Sequence, residues 1–312
     1  MAQTIWRFGS LLAVALAVCW TAGCSFIPDK SNYIDFRKLE APPVLAAANT
    51  DSPALRVAIS SVLLPQETVV YYRSIANYLG WHVDRPIVLL QRKSYAEIAL
   101  LLLNGGADIA FFSSGEYANY SGFDEIEMLA SQQRMGLPYY QGYIIVARDS
   151  RISGIAGLRG RTVAFTDPLS YSGYTFLVHL LRQQNQTPET FFGHFIYTYS
   201  HDKSFRAVAN RVVDAAPVTR LVYDRAKQKQ PELAAAVKII AMSPPAGIGP
   251  VVAGKSLNQS QRESLRKALL QMHESPQMAE AMQGLLIDRF VPPQPELFEP
   301  IRRMLREKRG QP

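Results

Sequence analysis

Short apolar runs alternate with longer amphipathic segments along the chain from residue 55 onward. A short apolar run favours a buried strand, and apolar positions three and four residues apart favour a helix. In the first half, strands are predicted at Leu55–Ser60, Ile87–Gln91 and Asp108–Phe112, and helices at Pro65–Leu79 and Ser94–Asn104. Ser94 and Glu97 form a capping-box pattern at the start of the second helix. The pattern predicts a repeated strand–helix unit.

The same alternation continues beyond residue 141. Strands are predicted at Gly142–Ala147, Thr162–Thr166, Phe195–Thr198, Val213–Pro217, Val237–Ala241 and Val251–Ala253. Helices are predicted to begin at Gly173 and Ser204, and residues 244–250 are predicted to form a loop. Residues 258–309 are predicted to be helical apart from a break at Val291–Pro295. This rhythm favours an α/β fold with parallel or mixed sheets.

The order of the elements predicts two α/β lobes. Residues 54–141 together with 251–312 would form lobe 1, and residues 142–250 would form lobe 2. The chain would then cross twice between the lobes, which leaves a hinge and a cleft between them. Because open α/β sheets bind ligands beyond the carboxyl ends of their strands, we expect the ligand in this cleft.

Residues 1–23 have the features of an export signal. Arg7 precedes an apolar stretch, Leu11–Trp20, that is short for a membrane span. The residues before Cys24 resemble a bacterial lipobox, which implies a lipid on this cysteine; the alternative is an ordinary signal peptide that leaves Cys24 as a free thiol. We expect a tether over residues 24–53 and a lipoprotein anchored to a membrane in the periplasm or cell envelope.

The formal net charge is +7, which raises the question of nucleic-acid binding. The basic residues are scattered, apart from a group at the carboxyl terminus: Arg302, Arg303, Arg306, Lys308 and Arg309. The chain has no helix-turn-helix, zinc-finger or RNA-recognition signature. We therefore expect no nucleic-acid partner, and interpret the terminal group as a solvated helix face, with contact to anionic lipid as the alternative.

Motifs of the common enzyme classes are missing from the sequence. It contains neither the nucleophile elbow of the α/β hydrolases nor a phosphate-binding P-loop. His179, His194 and His201 have no zinc-site spacing. The acidic run Asp124, Glu125 and Glu127 is more typical of a solvated loop than of a catalytic pair. We predict a protein that is not an enzyme, with no catalytic residue, metal or cofactor.

One hydroxyl-rich turn offers a site for an oxyanion. Ser170-Tyr171-Ser172-Gly173 follows a predicted strand and opens a predicted helix. Such a turn combines backbone N–H groups, side-chain hydroxyls and the positive end of a helix. The alternative is that Ser170 and Ser172 only cap the helix.

Eight further segments, in order along the chain, carry a family resemblance. They are Ser94–Glu97, Gly106–Phe111, Leu158–Phe165, Asp167–Tyr174, Ser200–Asp202 with Ala207–Ala209, Val213–Ala216, Ser243–Pro245 and Ile287–Phe290. Together they make residues 55–305 similar to the phosphate/phosphite/phosphonate-binding proteins of ABC importers. The resemblance implies a type II periplasmic binding protein fold that closes over its ligand.

The resemblance also implies a set of ligand-binding residues. They are Tyr95, Tyr140, Ser170, Tyr171, Ser172 and His201. Ser113 and Ser114, at another strand-to-helix turn, are candidate donors from lobe 1. All these side chains can donate hydrogen bonds without carrying a fixed charge, and preorganised neutral donors can bind an anion.

The sequence departs from the family pattern in two ways. Relatives that take aminoalkyl phosphonates hold the amine with acidic side chains, and the matching positions here are Leu221 and Gly249. An ammonium group would lack its partners there. The second departure is Tyr171, where the family commonly has threonine. The ring is expected to reshape the site, so phosphate itself is a less secure ligand.

The expected function is that of a monomeric, lipid-anchored binding protein. It would capture a small oxyanion, namely phosphate, phosphite or a simple phosphonate, and deliver it to an ABC permease. Three alternatives remain at this point. The loaded protein could instead dock on the outer domain of a sensor histidine kinase, the ligand could be another oxyanion, or the fold could be a scaffold with a vestigial cleft.

Overall fold

Two β-sheets with flanking helices form the part of the chain that the structure describes. The computed structural model describes residues 53–60, 65–120 and 126–308. The strands are β1 (Leu55–Ile59), β2 (Ile87–Gln91), β3 (Ile109–Phe111), β4 (Glu127–Gln133), β5 (Tyr139–Tyr140), β6 (Gly142–Ala147), β7 (Thr162–Phe165), β8 (His194–Tyr197), β9 (Ala215–Thr219), β10 (Val237–Met242), β11 (Ala246–Gly247), β12 (Val251–Ala253) and β13 (Arg289–Val291).

The helices lie between these strands and follow the last of them. They are α1 (Pro65–His82), α2 (Tyr95–Leu103), α3 (Ser114–Tyr120), α4 (Phe176–Arg182), α5 (Pro188–Phe191), α6 (His201–Ala209), α7 (Arg220–Lys229), α8 (Pro231–Ala235), α9 (Gln259–Gln271), α10 (Ala279–Gly284) and α11 (Glu299–Lys308), with a π-helical turn at Tyr171–Thr175 before α4. None of the helices in the described ranges is long and apolar enough to cross a membrane.

The first sheet has six strands in the order β13-β4-β12-β3-β1-β2. β1 pairs in parallel with β2 and β3, β12 is antiparallel to β3, and β4 is antiparallel to β12. β4 therefore runs in the same direction as β1 and β3. The carboxyl ends of these three strands meet at one edge of the sheet, where α/β proteins place their ligands.

The second sheet has five strands in the order β10-β6-β9-β7-β8. β7 pairs in parallel with β8 and β9, so the carboxyl ends of these three strands also share an edge. The chain passes from the first sheet to the second before β6 and returns after β10. At the two crossings, β5 and β11 pair with each other, with Tyr140 opposite Ala246. The predicted fold class, two α/β lobes joined by two crossings, is confirmed.

Each lobe has its own apolar core, and α11 packs against both. In the first lobe Ile59, Ile75, Leu265 and Phe290 belong to one buried cluster beneath the sheet. Full burial of one such side chain contributes roughly 1.5–3 kcal/mol. On α11, Ile301 and Met304 share a second cluster with Tyr117 of the first lobe and Leu177 of the second. The carboxyl-terminal helix thus spans the junction of the lobes.

The capping box predicted at the start of α2 is confirmed. Ser94 Oγ accepts a hydrogen bond from the Glu97 backbone N–H at 3.3 Å, and the Glu97 carboxylate accepts one from the Ser94 N–H at 2.9 Å. This reciprocal pair satisfies two of the four free N–H groups at the helix start. It fixes the position of Tyr95, the first residue of the helix.

The sequence predictions failed where pairing partners are distant in the chain. Glu127, expected in a solvated loop, lies on β4, and its carboxylate binds Arg262 at 2.7 Å and also Arg266. Arg289 and Phe290, expected to be helical, and Val291, expected in a break, form β13 because they pair with residues 131–133. A partner more than 150 residues away in sequence leaves no local signal, and tertiary pairing overrides local helix propensity.

Several expectations fall outside the described residues. They are the signal peptide at 1–23, the lipid on Cys24, most of the tether, and the acidic residues Asp124 and Glu125.

Candidate functional site

A cavity of about 60 Å³ lies between the lobes, where the carboxyl ends of both sets of parallel strands meet. The first lobe lines it with Ser60, Tyr72, Tyr95, Phe111, Phe112, Ser113, Ser114, Gln132, Arg134, Ile248 and Gly249; Tyr140 comes from the crossing; the second lobe adds Ser170, Ser172, His201, Thr219 and Leu221. Hydroxyl groups dominate the polar part of this lining. Among the described residues that line the cavity, none is an aspartate or a glutamate.

Seven of the eight residues expected at the ligand share this cavity. They are Tyr95, Ser113, Ser114, Tyr140, Ser170, Ser172 and His201. The eighth, Tyr171, does not line it. Its phenol is buried and donates to the Pro244 carbonyl oxygen at 2.7 Å, and its ring packs edge-on against Tyr140. The Tyr171 ring therefore supports the wall of the cavity from behind.

Ser170 and His201 form a connected pair of donors. The Thr219 N–H donates to His201 Nδ1 at 3.1 Å, so this nitrogen is unprotonated and the ring proton is on Nε2. His201 Nε2 lies 3.3 Å from Ser170 Oγ, which also accepts from the Gly173 N–H at 3.0 Å. With these two donors directed at its oxygen, the Ser170 hydroxyl is free to donate its own proton into the cavity.

Burial keeps His201 neutral. Desolvation lowers the pKa of the imidazole from 6.5 to about 3. The ring lies at the start of α6. This helix begins at His201, three residues before the expected start at Ser204, and Ser200 is its N-cap. A neutral ring with a fixed tautomer orients Ser170 without adding a charge.

Tyr140 lies between two serines from different lobes. Its phenol donates to Ser172 Oγ at 3.5 Å. Burial raises the pKa of the Tyr140 phenol, and hydrogen bonds with Ser114 and Ser172 oppose this shift. The phenol therefore stays protonated and acts as a donor at the crossing between the lobes.

The Tyr95 hydroxyl is buried and has no hydrogen-bond partner in the described part of the chain. Desolvation raises its pKa well above 10, and the nearby Asp167 and Glu116 carboxyl groups add to the shift. A buried hydroxyl without a partner costs about 1–3 kcal/mol. An acceptor atom of a bound ligand would satisfy it.

The two lobes touch each other beside the cavity. The Asp167 carboxylate of the second lobe accepts a hydrogen bond from the Tyr95 backbone N–H at 3.0 Å, at the start of α2. The Lys93 ammonium lies 4.9 Å from the centre of the Tyr199 ring, again across the lobes. Gly115 on α3 packs so tightly that a Cβ there would lie 2.1 Å from the Leu169 carbonyl oxygen.

Sequence reasoning missed Arg134, the one cation among the described residues of the lining, and its neighbour Gln132. Both follow from β4, which was not predicted as a strand. The apolar run Met128–Ala130 directly before them is the signal that could have located the strand end. Desolvation lowers the pKa of the Arg134 guanidinium to about 10, which leaves it charged at neutral pH.

A buried carboxyl group supports the first-lobe serines from behind. Glu116 Oε2 accepts hydrogen bonds from Ser60 Oγ at 2.8 Å and from the Ser113 N–H at 2.9 Å. Burial raises the pKa of Glu116 well above its usual range, because the low-dielectric surroundings disfavour the charged form. The protonated form therefore places little negative charge behind an anion-binding site.

A family model described as "ABC transporter, phosphonate, periplasmic substrate-binding protein" matches residues 57–298 of this chain. The chain belongs to this family. The phosphonate-binding proteins of ABC transporters are substrate-binding transport proteins and not enzymes. The family assignment implies a small-molecule ligand, a membrane permease as partner and a periplasmic location.

Solved structures share the fold of this phosphonate-binding protein. A binding protein component of an ABC phosphonate transporter from Pseudomonas aeruginosa has a TM-score of 0.76 and 23% sequence identity, covering 83% of this chain and 87% of that chain. PhnD1 from Prochlorococcus marinus, solved with methylphosphonate, has a TM-score of 0.72 and 16% identity, covering 82% and 98%. XAC2383 from Xanthomonas citri, solved with ATP, has a TM-score of 0.67 and 18% identity, covering 83% and 99%.

Replacement of the unsatisfied hydroxyl, Tyr95→Phe, is expected to separate stability from binding. In the ligand-free protein the change should leave the free energy of unfolding unchanged or higher, because no hydrogen bond is lost. Affinity for methylphosphonate should fall about tenfold or more, the value of one hydrogen bond to a charged acceptor. Urea unfolding and isothermal titration calorimetry measure the two quantities.

The matched control is Tyr143→Phe, a buried tyrosine of the second lobe that does not line the cavity. The Tyr143→Phe protein should bind methylphosphonate with the affinity of the wild type. A Tyr95→Phe protein that is less stable but binds normally would show that the hydroxyl has a structural role.

Neutral His201 predicts a loss of stability in mild acid. Its folded pKa of about 3 lies below the unfolded value of 6.5, so the unfolded state binds more protons between these pH values. Stability is then constant above pH 6.5 and falls as the pH decreases below it. When the pH is lowered from 7 to 5, protonation of His201 in the unfolded state should reduce the free energy of unfolding by about 2 kcal/mol.

The His201→Asn variant isolates this contribution, since its side-chain oxygen can accept from Thr219 as Nδ1 does. Unfolding free energies of the ligand-free proteins at pH 7 and pH 5 should show the larger drop in the wild type. Equal drops would mean that His201 titrates normally in the folded protein.

Proposed function

We propose that this family member captures a small phosphonate or phosphite and delivers it to its permease. The observation that carries the proposal is the cavity lining, which brings together hydroxyl donors from both lobes and the His201 imidazole, and contains no carboxylate among its described residues. An oxyanion needs several donors once it leaves water, and charge-assisted hydrogen bonds are the strong ones.

The apolar part of the lining supports a phosphorus oxyanion that carries an organic group. Phe111, Phe112, Leu221 and Ile248 share the cavity with the donors. Phosphate carries a fourth oxygen that also needs hydrogen-bond partners, whereas a P–H or P–C bond at that position needs none. We therefore rank phosphite and simple phosphonates above phosphate.

The size of the cavity supports a small ligand. Drug-sized and cofactor-sized ligands occupy pockets of roughly 300–1,000 Å³. The cavity here measures about 60 Å³ with the lobes in contact. A nucleotide would require the lobes to stand apart, whereas methylphosphonate or phosphite suits the enclosed form.

Binding experiments test this proposal directly. Native mass spectrometry of the purified protein would identify any retained ligand, and calorimetric titrations would compare phosphite, methylphosphonate, phosphate and sulfate. We expect methylphosphonate and phosphite to bind more tightly than phosphate or sulfate. Failure of all four anions to bind would refute the proposal and favour a scaffold with a vestigial cleft.

We also propose that a lipid on Cys24 anchors the protein to a membrane. The lipobox resemblance of residues 21–24 supports this, and residues 25–53 provide a tether ahead of β1. The Cys24→Ser protein should move from the membrane fraction to the soluble fraction of the periplasm. A protein that fractionates identically with and without Cys24 would exclude the anchor.

A further inference from the structure

One cation in the cavity wall makes no ion pair with any acidic residue that the structure describes. Arg134 donates one hydrogen bond to the Leu285 carbonyl oxygen and another, at 2.7 Å, to Gln132 Oε1, both neutral groups. Its Nε–H is shut off from solvent and donates to no acceptor in the described ranges. The charge of Asp288 raises the pKa of Arg134, but its carboxylate accepts a hydrogen bond from the Gly136 N–H at 2.7 Å and not from the guanidinium. The guanidinium thus makes no direct ion pair in the described ranges, although the charge of Asp288 acts on it from a distance, and it keeps an unused donor.

Leaving a partly desolvated charge unpaired is unfavourable, so its presence in a ligand cavity needs a reason. The oxyanion donors described above do not need it. Ser170 pairs with His201 and Tyr140 pairs with Ser172, and Arg134 makes no hydrogen bond to any of the four among the described residues. The cavity therefore holds two polar groups, one of neutral donors and one built on Arg134.

Hydrogen bonds also fix the orientation of the Arg134 side chain in the cavity wall. Gln132 Nε2 donates to the Gly249 carbonyl oxygen, while its Oε1 accepts from Arg134. All three residues line the cavity. This chain of hydrogen bonds holds the planar guanidinium in one orientation. A guanidinium fixed in this way matches the two oxygens of a carboxylate.

We propose that the ligand is a short phosphonate whose organic group ends in a carboxylate. The phosphonate group is held by Ser170, Ser172, Tyr140 and Tyr95, and the carboxylate by Arg134. Apolar contacts with Phe111 and Ile248 suit the intervening methylene. An amine in place of the carboxylate is repelled by Arg134 and finds no carboxylate in the described lining. This inference rests on the proposed function.

Three phosphonates that differ only in the organic group test it by calorimetry. Phosphonoacetate carries a carboxylate, methylphosphonate carries no further polar group, and 2-aminoethylphosphonate carries an ammonium. The wild-type protein should bind phosphonoacetate at least about tenfold more tightly than methylphosphonate, and the amine most weakly. This comparison needs no variant, so it does not depend on the folding of a mutant.

The Arg134→Gln variant then tests the assigned residue. Its affinity for phosphonoacetate should fall at least about tenfold, while that for methylphosphonate should change less than about threefold. Arg289→Gln is the matched control, because Arg289 is an exposed arginine on the neighbouring strand β13 and its removal changes the net charge equally. The control should retain the wild-type preference.

The outcomes separate this inference from the proposed function. If the wild-type protein binds methylphosphonate and phosphonoacetate with equal affinity, the inference is wrong and the proposed function still stands. An Arg134→Gln protein that loses both ligands equally would do the same, since the arginine would then act on the phosphonate group or on the fold. If neither phosphite nor any of the three phosphonates binds, the proposed function fails and the inference fails with it.

Discussion

Removal of both hydroxyls in the Ser170→Ala/Ser172→Ala protein should weaken methylphosphonate binding by about 100-fold or more. Each serine is expected to make one hydrogen bond to a charged oxygen, and such a bond contributes about 1.5–3 kcal/mol. Two lost bonds then correspond to at least about 3 kcal/mol, which is more than two factors of ten in the dissociation constant. Calorimetric titration of the wild-type and double-variant proteins measures this difference.

Two controls separate binding from folding in this experiment. Ser170 Oγ also caps the π-helical turn through the Gly173 N–H, so the variant should lose about 1 kcal/mol of stability, and affinities must be measured well below its unfolding temperature. Ser74→Ala, on α1 and bonded only to the Val70 carbonyl oxygen, should bind as the wild type does. Unchanged affinity in the folded double variant would remove the serine turn from the site.

The Gly115→Ala protein should fold normally and yet bind its ligand about 10- to 100-fold more weakly. A Cβ at residue 115 would lie 2.1 Å from the Leu169 carbonyl oxygen and 2.6 Å from the Tyr171 nitrogen, both in the opposite lobe. These are backbone atoms that cannot rotate away, so the lobes must stay apart. Overpacking of this kind costs about 1–3 kcal/mol, and here it destabilises the closed form, in which the two lobes touch.

The stability of the ligand-free Gly115→Ala protein provides the contrast. Alanine is the better helix former by about 1 kcal/mol, so lobe 1 by itself should lose nothing. Gly154→Ala is the control, because no heavy atom lies within 4 Å of a Cβ at that position. Small-angle X-ray scattering should show compaction by methylphosphonate in the control and not in Gly115→Ala. Equal compaction and affinity in both would mean that the ligand binds without this contact.

The candidate site divides into a part visible in the sequence and a part that was not. Ser170 and Ser172 were predicted because they sit at a strand-to-helix turn, where local patterning marks the position, and His201 was predicted from the family resemblance. Arg134 and Gln132 were missed because they follow β4, which belongs to the sheet through pairing with β12 and β13. Partners this distant in the chain give no local signal.

Tyr171 is a different case, because the structure does not place it in the cavity lining. Its position within the serine turn, together with the family resemblance, predicted contact with the ligand. In the structure its ring points behind the wall, because the Pro244 carbonyl oxygen offers its hydroxyl a partner at 2.7 Å. Tyr171 and Pro244 are far apart in sequence, so only the folded chain brings this donor and this acceptor together.

The sequence by itself determined the alternation of strands and helices, the two-lobed α/β class and the hydroxyl-rich turns, since these depend on local periodicity and capping. The tertiary structure decided which side chains share the cavity. It turned the Tyr171 ring away from the cavity and brought Arg134 into the lining. It left the Tyr95 hydroxyl with no hydrogen-bond partner among the residues that the structure describes. These features depend on burial and on contacts across the lobes, which local sequence does not encode.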